Sequence, residues 1–171
     1  MKKKLIIKIL FAACLCFLTI HGFSQTTPTD SLPTDPAIAV YPVQDLKFGA
    51  FYQSAGGGTI TIANDGTRST TGSVVQVGLG ILFCQAIFDL ESPAGTVISI
   101  MNGPAVTLTS SNGGTMSLNL GISNPTSPFN NLTEPPGRTA IHIGGTLTVG
   151  SPAVSKPGSY TGTFFITFNQ E

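Results

Sequence analysis

The sequence SYTGTFFITFN, residues 159–169, places Tyr160, Gly162, Phe164, Ile166 and Phe168 on one side and Ser, Thr and Asn on the other, with Phe165 the exception. A period of two marks a half-buried β-strand, because successive side chains of an extended chain point to opposite faces. Its β-branched and aromatic residues suit a pleated surface. The pattern predicts one long strand closing a sandwich.

The same alternation recurs from residue 38 onward, cut by Gly, Pro and Asn. Residues 40–51 predict a first strand broken at Pro42, with Leu46, Phe48 and Ala50 on one side. Gly56, Gly57 and Gly58 predict a turn or bulge, and Ile60 and Ile62 then alternate with threonines. Asn64-Asp65-Gly66 is a strong hairpin signal, since Asp-Gly tolerates the positive φ of a tight turn. Residues 67–77 are expected to run back along that strand.

Residues 79–90 form the most apolar window, with Leu82, Cys84, Ala86, Phe88 and Leu90 on one face. Residues 96–101 and 105–109 read as two strands about an Asn102-Gly103-Pro104 turn. Residues 115–122 alternate with Met116, Leu118, Leu120 and Ile122 inward, after a turn at 112–114. Residues 123–138 read as the long irregular loop. Residues 139–149 alternate again, with Ile141, Ile143, Leu147 and Val149 inward. No stretch carries a helical period with caps. Many short strands separated by turn signals predict an all-β chain, an immunoglobulin-like or pilin-like antiparallel β-sandwich.

The N-terminal part changes the picture of where the chain works. Lys2, Lys3, Lys4 and Lys8 accompany a short apolar run, and small residues Gly22 and Ser24 precede Gln25. This is the pattern of a secretory signal peptide over residues 1–24. It is too short and too charged for a membrane span. Residues 25–37, rich in Pro, Thr and Asp, predict an extended leader. Residues 38–171 are then a single domain, and no transmembrane segment is expected after cleavage.

Cleavage leaves Lys47, Arg68, Arg138 and Lys156 against eight Asp and Glu, a net charge of −4. Such a surface offers no basic field for nucleic acid or an anionic bilayer. Cys84 alone remains of three cysteines, so no disulfide forms within one mature chain. On the apolar face of its strand it reads as a small buried hydrophobe.

The remaining chemistry is thin. His142 lies between Ile141 and Ile143 with no partners evident, which favours a solvated strand residue over a catalytic or metal-bound one. Asp89 and Glu91 share a strand face at i, i+2, as acid–base pairs can, yet without a polar cluster they read as a solvated edge. Asp65 belongs to its turn. Gly56–58 and Gly144–145 are not followed by a helix start, so they cradle no phosphate. No catalytic, cofactor or metal residue is expected. Asn131-Leu132-Thr133 fits the glycosylation pattern, and Phe129, Asn130, Asn131 and Arg138 are the expected contact loop.

The order of segments resembles a bacterial secreted family known as domain of unknown function 4402. The residues that carry the resemblance are Leu46-Lys47-Phe48-Gly49, Gly57-Gly58-Thr59 with Ile60 and Ile62, Asp65-Gly66-Thr67-Arg68, a glycine-led Val74-Val75 strand, Gly144-Gly145-Thr146-Leu147-Thr148-Val149 and Gly158-Ser159-Tyr160-Thr161-Gly162-Thr163-Phe164. It implies an exported β-sandwich and supplies no catalytic residue. More loosely, the C-terminal segment resembles the last strand of fimbrial, pilin-like adhesin subunits, although the chain lacks their cysteine pair.

The expectation is a non-enzymatic, exported protein of the cell surface, extracellular space or periplasm, structural or adhesive and fimbria-like. It would pair with itself or other surface subunits through Tyr160, Gly162, Phe164, Ile166 and Phe168. A glycan- or small-ligand-binding module is the alternative, and a hydrolase the weakest reading.

Overall fold

The computed structural model describes residues 38–171. The expected signal peptide and leader lie outside these residues. The strands are β1 (Ala39–Gln44), β2 (Lys47–Phe48), β3 (Phe51–Ile62), β4 (Arg68–Gln76), β5 (Phe83–Cys84), β6 (Ala86–Glu91) and β7 (Val97–Asn102). They continue with β8 (Val106–Ser110), β9 (Thr115–Asn124), β10 (Phe129–Asn130), β11 (Thr139–Val149), β12 (Tyr160–Thr161) and β13 (Ile166–Gln170). The described domain is all-β and antiparallel.

The large sheet runs β1-β6-β11-β9-β8-β12, with the β3–β4 hairpin attached to β11. β11 organises it. One edge of β11 pairs with β9, while the other pairs first with β6, from Thr139 to Ile143, and then with β3, from Gly145 to Val149. The sheet forks at Gly144, where a Cβ would run into the carbonyl oxygen of Ile62. Only a residue without a side chain lets β3 take over the ladder there.

Beyond the fork the sheet curls into an open half-barrel. A smaller sheet, β10-β7-β13, packs over the other half. Two cores result. Leu90, Ile98, Ile141 and Ile143 are buried between the two sheets, with Val40, Phe129, Ile166 and Phe168 packed around them. Phe88 and Phe168 meet across this layer at 5.8 Å between ring centroids. Ile60, Val74, Leu108, Met116, Leu118, Leu147 and Val149 fill the half-barrel. Leu120 packs against both cores.

Both expected hairpin turns form. Ala63 and Gly66 close the Asp65 turn, with Ala63 N–H donating to the Thr67 carbonyl, and Ser110 N–H donates to the Gly114 carbonyl. The glycines at 56–58 form a bulge, since Gln53 faces Val74 while Gly58 faces Gly72. Ile141, Ile143, Leu147 and Val149 are buried as the alternation required.

Four expectations are corrected. The C-terminal stretch is not one strand: β12 pairs with β8 in the large sheet, residues 162–165 cross over, and β13 pairs with β7 in the small one. Its inward face survives, with Tyr160 and Phe164 on the half-barrel core and Ile166 and Phe168 on the other. Ile122 is 72% exposed and Ser123 only 5%, because an irregularity opposite Gly144 adds a residue to β9 and inverts its faces. Leu82 is 63% exposed, ahead of the strand rather than in it. The 123–138 loop contains β10, paired with β7, and Phe129 is half-buried on the core.

Candidate functional site

No residue of the β10-β7-β13 sheet packs on the half-barrel core; the two-stranded β2–β5 sheet meets it through Phe48. Two segments flank it, residues 45–53 and residues 160–164. Between them lies a cleft of about 940 Å³. Leu108, Met116, Leu118 and Leu147 form its floor, and Phe48, Phe51, Tyr52, Tyr160 and Phe164 contribute aromatic lining. The volume sits at the upper end of the range for small-molecule sites.

Each wall is held in place by specific contacts. Arg68 Nη1 donates to the carbonyls of Phe48 at 3.1 Å and Ala50 at 3.4 Å, and its Nε donates to Gln76 Oε1. The guanidinium stacks 4.2 Å over the Phe83 ring. Gly49 makes room for this: it adopts φ 71°, and a Cβ there would lie 2.6 Å from Arg68 Nη1. On the other wall Tyr160 OH donates to the Lys156 carbonyl, and Gln53 Nε2 reaches the Ser155 carbonyl at 2.6 Å. Gln53 Oε1 is buried without a hydrogen-bond partner.

The charges divide in an informative way. Arg68 is engaged as described. Arg138 Nε donates to Glu91 Oε2 at 3.2 Å, and its guanidinium lies 3.9 Å over Tyr41. Lys47 and Lys156 both line the cleft, together with Asp45. Among the described residues neither ammonium group has an ion-pair or hydrogen-bond partner.

The residues singled out from sequence are scattered. His142 is half-buried, and Gln85 Nε2 donates to its Nδ1 at 3.0 Å. Asp89 and Glu91 lie on β6, an interior strand between β1 and β11, rather than on an edge, and both are half-buried. Cys84 is buried, its thiol donating to the Asp45 carbonyl at 3.4 Å. Asp65 accepts from the Thr67 hydroxyl and N–H, which hold its carboxyl below the usual carboxylate range. Among the described residues no three of His, Cys, Asp and Glu gather where they could hold a metal ion.

The expected contact loop divides. Asn130 is exposed, and Arg138 serves its ion pair and ring contact. Asn131 is 1% exposed. Its amide donates to the carbonyls of Ser92 and Thr133, and its Oδ1 accepts from Thr139 Oγ1 at 2.6 Å. It pins the loop and presents no glycosylation site in the folded domain.

The motifs that carried the resemblance are thus fold-making contacts: Arg68 with Phe48 and Gly49, and Gly144 against Ile62. The family model described as "Domain of unknown function (DUF4402)" matches residues 38–169. The chain belongs to that family. No curated protein and no solved structure matches it significantly. Among the described residues, no helix is long and apolar enough to cross a membrane. Sequence reasoning missed the cleft, because its walls come from segments more than a hundred residues apart. The available signal was Lys47 and Lys156 standing in otherwise apolar, turn-rich stretches.

Proposed function

We propose that this domain is a non-enzymatic, exported surface component, structural or adhesive, that joins neighbouring subunits by strand pairing in a fimbria-like manner. The open edge of β13 carries the reading. Inner-sheet bonds fix its polarity: Glu171 N–H donates to the Val97 carbonyl and Gly103 N–H to the Phe165 carbonyl. Odd-numbered residues therefore face β7, and the main-chain groups of Ile166 and Phe168 point the other way. No strand pairs on that side among the described residues.

Topology supports a strand belonging there. The order β1-β6-β11-β9 follows the A-B-E-D layer of an immunoglobulin-like sandwich, and β7-β13 follows strands C and F. The side of β13 to which Ile166 and Phe168 turn their main-chain groups is where strand G would lie. A neighbour's extended segment added to such an edge gains a full ladder of backbone bonds. Sedimentation of the purified protein over a range of concentrations tests this. Association is expected, and it should weaken when exposed Phe165 and Thr167 both become lysine, which blunts an edge. A strictly monomeric protein, with the variant behaving identically, overturns it.

The second reading, a glycan- or small-ligand-binding module, is favoured by the cleft and its aromatic lining. Ligand screening with glycans and apolar compounds tests it, and a protein that takes up neither overturns it.

A further inference from the structure

We propose that the half-barrel cleft binds a single-chain anionic amphiphile, a linear apolar body ending in a carboxylate, taken up as a monomer from solution. The inference rests on reading the cleft as a ligand site and narrows the ligand by chemistry.

The apolar body follows from the floor. Leu108, Met116, Leu118 and Leu147 are core side chains that reach the cleft. Aliphatic flooring rewards burial of an alkyl chain, each methylene taken out of water adding to the affinity. It gives a sugar, with hydroxyls on every edge, few polar partners. Exposed Ile81 and Leu82 extend the apolar lining of the cleft.

The carboxylate follows from the charges. The described domain has four Lys and Arg side chains, and the two arginines are committed to structural contacts, Arg68 with Phe48, Ala50, Gln76 and Phe83 and Arg138 with Glu91 and Tyr41. Both lysines line this one cleft and lack partners among the described residues, against a single acid, Asp45. The cleft is thus locally cationic on a domain whose overall balance is acidic. That acidic exterior disfavours an anionic bilayer and leaves a dissolved monomer as the source.

The test is titration of the purified protein with hexadecanoate below its micelle concentration, followed by calorimetry, beside hexadecanol as the uncharged match and vesicles of phosphatidylglycerol. Saturable binding of one hexadecanoate per chain is expected. A Lys47→Gln/Lys156→Gln double variant should bind about five- to tenfold more weakly, as two partly exposed ion pairs allow, with an unchanged melting temperature. Hexadecanol should be weaker by a similar factor, and added salt should reduce the difference. Absence of saturable binding, equal affinity for hexadecanol, an unaffected double variant, or binding to vesicles alone would each overturn the proposal. If hexadecanoate fails while a glycan or neutral compound binds, the cleft remains a ligand site and only this ligand class is lost.

Discussion

Arg68 stacks its guanidinium 4.2 Å over the ring of Phe83 while its Nη1 holds the carbonyl of Phe48. One side chain thereby fastens β4 to the segment that walls the cleft. Arg68→Ala removes a charged hydrogen bond and the ring contact together, a loss of about 2–3 kcal/mol. Arg68→Lys recovers little of it, because an ammonium cannot fork between Phe48 and Gln76 while stacking. Urea denaturation of both variants checks this.

The fork in the large sheet makes a second, sharper prediction. Gly144→Ala drives a Cβ into the Ile62 carbonyl, a backbone atom that cannot step aside. Destabilisation of at least about 3 kcal/mol, or failure to fold, is expected. Gly78→Ala is the control: nothing lies within 4 Å of its Cβ, and thermal stability should stay within about 0.5 kcal/mol of the parent.

Asn131 should behave as a buried structural amide. Asn131→Ala leaves the Ser92 and Thr133 carbonyls without its donors, at a cost of about 2–4 kcal/mol. Denaturation midpoints measure the loss. Mass spectrometry of the folded domain after exposure to a glycosylating extract should show Asn131 unmodified, since it is buried.

Asp65 supplies the pH dependence. The bonds from Thr67 lower its pKa in the folded state. Its contribution to stability is therefore present above the unfolded carboxylate value and lost as pH falls through the folded one. The gap in urea midpoint between the parent and Asp65→Asn should be present at neutral pH and close on acidification through the carboxylate range. A gap that widens on acidification contradicts the assignment.

How far the chain could be read beforehand follows from what alternation encodes. It reports which face a residue occupies, so Ile141, Ile143, Leu147 and Val149 were legible, as were the Asp65 and Gly113 turns. It does not report which sheet a strand joins. Residues 159–169 keep one inward face while passing from the large sheet to the small one, and nothing in their period marks the crossing at 162–165. Alternation also fails silently at an inserted residue: beyond Gly121, Ile122 and Ser123 exchange places. The site was harder still. Arg68 meets Phe48 and Phe83, and Lys47 joins Lys156 at one cleft, only because β11 gathers distant strands around it.

The central claim is that Ile166 and Phe168 of β13 present a main-chain edge, unpaired among the described residues, to a neighbour. Amide hydrogen exchange resolved by residue tests it most directly. In dilute solution the amides of Thr167 and Asn169, bonded to β7, should be protected, while those of Ile166 and Phe168 exchange freely; raising the concentration should slow the latter pair. Equal protection of all four amides in the dilute monomer would mean that the edge is already covered, and would contradict the account.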